Sequence, residues 1–213
     1  LFVGLQAWLQ RHHNLPRPQQ GGAGAPHRIA QKENKGRGIR PKASGDDSGV
    51  QDLLNDLILM ISGKIVEIRK NKFLINNDAF HLEIPSSIRE MGDWESFETD
   101  IFESILTDGM NVLDLGANIG WYTLLAARKV GQTGKVFAFE PDPFTYKLLL
   151  HHVKLNNYKN IIAVNKAASD KEETRTFYSY HFTPRDGKSG FYLRDFNYKP
   201  KIIKVETIRI DKF

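Results

Sequence analysis

A chain of 213 residues, 40% hydrophobic and 11% aromatic, carries enough apolar material for one packed domain with an appendage. It has no cysteine, which excludes disulfides, thiolate nucleophiles and cysteine metal sites. The formal charge of +5 sits wholly in residues 1–50, with eight Lys/Arg against three acids, while residues 51–213 carry 22 of each sign; nucleic-acid enzymes more often place their positive field on the folded body, so no nucleic-acid partner is expected.

The apolar start LFVGLQAWL falls well short of the roughly 20 residues that span a bilayer. It is expected as a short apolar or helical segment over residues 1–13, without a membrane span and in a cytoplasmic protein. Residues 14–50 are rich in Gly, Pro and charge and contain no aromatic residue. They cannot bury enough apolar area to offset their ordering entropy, so a disordered basic linker is expected.

Ordered structure is expected from residue 51, with an N-terminal β/helix element over 51–110. DLLNDLILMIS has helical spacing, and KIVEIRK, KFLINN and FHLEIP read as a small β-meander. A helix is predicted from about Glu95 to Leu106, with Phe97, Ile101, Phe102 and Ile105 on its apolar face and a Thr-Asp-Gly turn to end it.

Residues 111–170 are the most regular. VLDL reads as a strand, GANIG as a tight loop, WYTLLAARKV as a helix, and KVFAFE as a second strand. PDPFTYKLLLHHVKLNN is a second helix, with Asp142 placed to cap it and Pro143 in its first turn. NIIAVNKAA is a third strand. Two strand–helix–strand crossovers in succession give half of a doubly wound parallel α/β sheet. Over 171–213, TRTFYSYHF, GFYLRDF and KIIKVETIRI read as an antiparallel, strand-rich extension.

In such a sheet the ligand lies at the carboxyl ends of the strands, beside the first strand-to-helix turn. That turn holds Gly116 and Gly120. The first admits a backbone conformation closed to other residues, and the second lets the helix start tightly. The dinucleotide fingerprint G-x-G-x-x-G is not met, because Asn118 stands where its middle glycine admits a pyrophosphate. Asp114 opposes a phosphate as well: like charges about 4–5 Å apart repel by roughly 3–4 kcal/mol at an effective dielectric near 20. The loop thus favours a ligand with cationic character. Glu140, at the end of the second strand, can accept hydrogen bonds from both ribose hydroxyls. A ribose and an amine without a pyrophosphate describe S-adenosylmethionine.

DLGANIGWYT, then FAFEPDP, LKLNN and VNKAASD, together with DWESFET…LTDGMNV upstream and VETIRIDKF downstream, resemble S-adenosylmethionine-dependent methyltransferases of the FkbM type. The likeness covers most of residues 64–213 and implies a partial Rossmann-like, class I methyltransferase fold over 51–213. It implies that Asp114, Gly116, Ala117, Asn118 and Gly120 surround the methionine part of the cofactor, with Tyr122 beside them. Glu140 takes the ribose, Asp142 sits nearby, and Ala168, Ser169 and Asp170 at the end of the third strand border the adenine. The activity implied is O-methylation of a sugar or small-metabolite hydroxyl, by in-line attack of the acceptor oxygen on the sulfonium methyl; the alternatives are a non-catalytic or truncated methyltransferase-fold module and an RNA methyltransferase. Such proteins continue into a further core strand ending in an Asp-x-Glu-Gly motif. Here the sequence stops at IDKF, so the chain is read as a fragment, and the first strand is expected to show an open hydrogen-bonding edge.

The other candidates are weaker. Trp121 and Tyr122 suit the core as well as the pocket. His12–His13 and His151–His152 are adjacent pairs that lack the spacing of helical metal ligands, and they read as surface or partly buried residues. No metal is expected. His181 and Asp186 belong to a connecting loop, and no residue declares itself as a general base.

Overall fold

The computed structural model describes residues 2–3, 63–76, 88, 92–180, 188–194 and 197–213. The linker, the helix expected over DLLNDLILMIS, the FHLEIP strand, His12, His13, His181 and Asp186 lie outside the described residues.

Strand β1 is Phe2–Val3, and β2 (Gly63–Ile68) and β3 (Asn71–Asn76) form an antiparallel hairpin. Helix α1 (Ser96–Ile105) precedes the alternating unit β4 (Asn111–Leu115), α2 (Trp121–Val130), β5 (Lys135–Phe139), α3 (Pro143–Leu155) and β6 (Ile161–Val164). Strands β7 (Ala167–Ser169), β8 (Thr174–Ser179) and β9 (Lys201–Arg209) follow, then a short 3-10 turn at Ile210–Lys212. The core sheet runs β1-β4-β5-β6, all parallel, and a second sheet runs β7-β9-β8. This is the α/β, Rossmann-like class expected.

Helix α2 is the centre of the core. Trp121 to Ala127 and Val130 are all buried, the pattern of a helix enclosed on every side rather than amphipathic. Its glycine-rich entry, small Ala126 and Ala127, and flanking Leu124 and Leu125 let it approach both sheet and hairpin closely. The ring of Trp121 stacks on Phe73 of β3 at 5.3 Å, and its indole N–H donates to Thr99 on α1.

The structure departs from the sequence reading in five places. Helix α1 forms where expected but is turned differently: Phe97 is 73% exposed, Ile101 48% and Ile105 46%, while Thr99, Phe102 and Leu106 are buried. Polar contacts select this face. Thr99 accepts the Trp121 N–H and donates to the Trp94 carbonyl, and Glu103 pairs with Arg69 and Arg128. Residues 99, 102, 103 and 106 are themselves a helical stripe, and half of it is polar.

The third strand is the second departure. It ends at Val164, and Ala167–Ser169 pairs instead with β9. The break is made by Asn165, whose amide donates to the carbonyls of Glu140 and Pro141 and draws the chain out of the sheet. In the third place, GFYLRDF forms no strand among its described residues; Gly190 makes a lone bridge to Tyr178. Fourth, the edge of β4 is not open, because Phe2 and Val3 pair with Leu113 and Asp114. A free strand edge is a template for any extended segment, and in the fifth place those two residues are accordingly extended rather than helical.

The hairpin turn Arg69–Lys70 has φ of 48° and 61°, a left-handed pair that costs about 1–2 kcal/mol per residue without glycine. Arg69 offsets this by fastening the turn to α1. Its guanidinium bonds Asp93 through two nitrogens, Asp100 at 2.7 Å and Glu103 at 2.9 Å, and these carboxylates hold its pKa above the usual range.

Candidate functional site

The tips of β4 and β5 lie side by side, with Asp114 in register with Ala138 and Leu115 with Phe139. The loop after β4 is fastened to β5 by its own backbone: the amides of Gly116 and Ala117 both donate to the Phe139 carbonyl. Gly116 has φ of 86°, and a Cβ built on it would meet nothing within 4 Å. Gly120, φ 93°, is the opposite case, for its Cβ would come within 2.7 Å of Leu149 Cδ1 on α3. One glycine keeps a space clear and the other lets two helices touch. Asn118 between them is also left-handed, φ 50°, and its side-chain oxygen accepts the Ile119 amide at 2.8 Å, a local bond that makes this conformation accessible to Asn.

Two carboxylates flank that loop. Asp114 is only 4% exposed. It accepts the Thr123 hydroxyl at 2.5 Å and the Thr123 amide, so it caps the first turn of α2. Burial raises its pKa to about 6, against those two bonds. Glu140 is 6% exposed and accepts two backbone amides, Asn118 at 2.7 Å through one oxygen and Asp142 at 2.9 Å through the other. Burial pushes it up to about 8, the charges of Asp142 and Asp114 adding to the effect. A carboxylate oxygen has two lone pairs, so each oxygen of Glu140 can take a further donor. Two groups so perturbed at adjacent strand tips make this loop the candidate functional site.

Asp142 caps α3 by accepting the amides of Phe144 and Thr145, as its position before Pro143 predicts, and it also receives the Ser179 hydroxyl. That last bond brings the end of β8 to the tip of β5. Tyr122 is buried; its hydroxyl donates to Glu95 at 2.8 Å and its ring meets Phe102 edge-on, so it packs against α1 and the residue that precedes it. Ala168, Ser169 and Asp170 are not at the end of the third core strand; the first two pair with Ile208 and Arg209 of β9.

The sequence reading missed four residues that shape this site: Thr123, Asn165, Ser179 and His152. Asn165, an Asn ending an apolar run, carried a detectable signal as a turn former. The others announce themselves only in three dimensions. His152 is wholly buried, not a surface or partly buried residue as expected, because it takes the place of a strand partner for β3.

Residues 114–213 match the family model described as the methyltransferase FkbM domain. Over that stretch, just under half of the chain, the protein is similar to that family. An FkbM domain is a methyltransferase domain, and the cofactor of its class is S-adenosylmethionine. The chain is 41% identical over 49 residues to a ribosomal RNA large subunit methyltransferase E of Buchnera aphidicola, covering 23% of each protein. It is 36% identical over 67 residues to an uncharacterised protein of Methanocaldococcus jannaschii, covering 32% of this chain and 25% of the other. The chain thus spans about a quarter of the length of these curated relatives. Among solved structures, a SAM-dependent methyltransferase from Aquifex aeolicus is 28% identical, with 38% of this chain and 46% of that one covered and a TM-score of 0.32. Among the described residues no helix is long and apolar enough to cross a membrane, and no group of three or more His, Asp or Glu is placed to hold a metal ion.

Proposed function

We propose that this chain binds S-adenosylmethionine across the tips of β4 and β5 and serves the transfer of its methyl group to a hydroxyl of a sugar or small metabolite, the O–CH3 bond forming as the S–CH3 bond breaks and the hydroxyl proton passing to solvent. The observation that carries the reading is the pair of buried carboxylates, Asp114 and Glu140, on either side of a glycine with open space before it. The donor set fits a cation-bearing nucleoside and rejects a pyrophosphate. Asp114 and the Gly116–Gly120 loop would hold the methionine end, and Glu140 would accept the ribose hydroxyls. Asp142 would keep the start of α3 in place, and the segment from Asn165 to Asp170 would border the base. Bound there, the cofactor would supply an electrophilic methyl group. The work of the protein is to orient it and to exclude water from the transfer.

The acceptor class is read from the family resemblance and from charge. Residues 51–213 are neutral overall, which does not suit a phosphate backbone, whereas the short likeness to a ribosomal RNA methyltransferase suggests RNA. Incubating the chain with methyl-labelled S-adenosylmethionine, a panel of glycans and small alcohols, and ribosomal RNA separates the two. Label in the neutral hydroxyl compounds is expected. Label confined to RNA would replace the acceptor half of this reading.

A further inference from the structure

We infer that His152 is a positioning residue for the cofactor loop, fixing the Asn118–Ile119 backbone to the β2–β3 hairpin through a single neutral imidazole. The inference rests on the cofactor reading above and adds to it a residue and an element, for the hairpin lies outside the stretch that matches the family model.

The shorter of the two backbone contacts at Nε2 selects one tautomer. The backbone amide of Leu74 points at Nε2 from 3.0 Å, and an amide can only donate, so Nε2 carries no proton. Nδ1 is then the N–H and donates to the Ile119 carbonyl at 2.7 Å. The Leu74 carbonyl lies farther from the same nitrogen, at 3.4 Å, and a second proton on the ring would set donor against donor at the nearer Leu74 amide. Burial acts in the same direction and holds the pKa down to about 4.

The surroundings fix the ring plane. Phe73 meets it edge-on at 5.4 Å and itself stacks on Trp121, the first residue of α2. One side chain from α3 therefore reaches the hairpin with one nitrogen and the glycine loop with the other. Ile119 follows Asn118, whose amide feeds Glu140. A carbonyl anchored at 119 thus restricts the movement of the loop segment that carries the amide bonded to the proposed ribose acceptor.

Asn156, one turn further along α3, supplies an internal control. It bonds the same strand, accepting the Lys72 amide at 2.7 Å and donating to the Lys72 carbonyl at 2.7 Å. Its remaining bond is to the His152 carbonyl, not to the loop. The two residues together bond the β3 backbone at Lys72 and Leu74. Only His152 also holds the cofactor loop.

The test measures S-adenosylhomocysteine affinity by calorimetry, and amide hydrogen exchange, in the full chain and three variants. His152→Asn keeps a donor at the place of Nδ1 and loses the Leu74 bond. His152→Gln sends its amide toward Leu74 and loses the Ile119 bond. Asn156→Ala loosens α3 from β3 without touching the loop. His152→Gln is expected to weaken the ligand by about tenfold or more, the effect of one lost buried hydrogen bond and the disorder it allows, while the other two stay within about threefold. Exchange at the amides of 118–120 should rise in His152→Gln alone. Affinities that simply follow thermal stability across all three variants, or unchanged protection of 118–120 in His152→Gln, would overturn the inference. If the parent chain binds no S-adenosylhomocysteine, the cofactor reading fails instead, and the exchange data still decide whether His152 positions the loop.

Discussion

Replacing Glu140 with alanine is expected to weaken S-adenosylhomocysteine binding by about 100-fold or more, since two hydrogen bonds to a charged acceptor contribute about 1.5–3 kcal/mol each. The same carboxylate predicts a pH dependence with a definite sign. Its pKa is raised from 4.5 to about 8 in the unliganded fold. Ribose hydroxyls donate, so they favour the ionised form. Binding should therefore tighten as pH rises toward 8 and should release protons at pH 7, seen as a buffer-dependent heat of titration.

Stability runs the other way. Across that window the native protein holds a proton that the unfolded chain has lost, so stability falls as pH rises from about 4.5 to 8. His152, lowered from 6.5 to about 4, has the opposite slope, but above about pH 7 it is neutral in both states. Between pH 7 and 8 the slope belongs to Glu140 and amounts to about 1 kcal/mol. Thermal melts of the unliganded chain should show that loss, and Glu140→Ala should flatten both profiles. Binding that is indifferent to pH from 6 to 8.5 in the parent chain would remove Glu140 from the site.

The two loop glycines should fail in different ways. Gly116→Ala places its methyl in open space, at φ 86°, and should cost only about 1–2 kcal/mol of stability from backbone strain. Ligand binding should nevertheless fall by about 100-fold, because the methyl occupies space a ligand must enter. Gly120→Ala drives a methyl to 2.7 Å from Leu149 and should lose about 2–4 kcal/mol of stability from overpacking and strain together. Melting curves and titrations on both variants check the contrast. Gly116→Ala binding as well as the parent would show that the space before it is not the ligand's.

That contrast shows what could be read without coordinates. Gly116 and Gly120 were legible as a turn and a tight helix start because backbone demands are local. So was the Asp142–Pro143 cap, and so was the alternation from β4 to β6, whose apolar runs switch period where strand gives way to helix. Face selection was not legible in α1. Its inward stripe is carried by Thr99 and Glu103 as much as by Phe102, and hydrophobic period alone points to Phe97, Ile101 and Ile105. Asn165 was legible as a turn former, but its partners were not, since the carbonyls it serves lie at Glu140 and Pro141 just past β5.

Asp114 combines two roles that its place at a strand end does not separate: it caps the first turn of α2 through Thr123, and its carboxylate stays at the strand tip. His152 was hidden altogether, because its partners Leu74 and Ile119 are brought together only by the packing of hairpin, loop and helix.

The most direct measurement is a calorimetric titration of the unliganded chain with S-adenosylhomocysteine and, separately, with NAD, at pH 8. Saturable binding of the thioether nucleoside and none of the dinucleotide is the expected result. Tight binding of NAD with no response to S-adenosylhomocysteine would mean that the two buried carboxylates do not set the chemistry of this cleft.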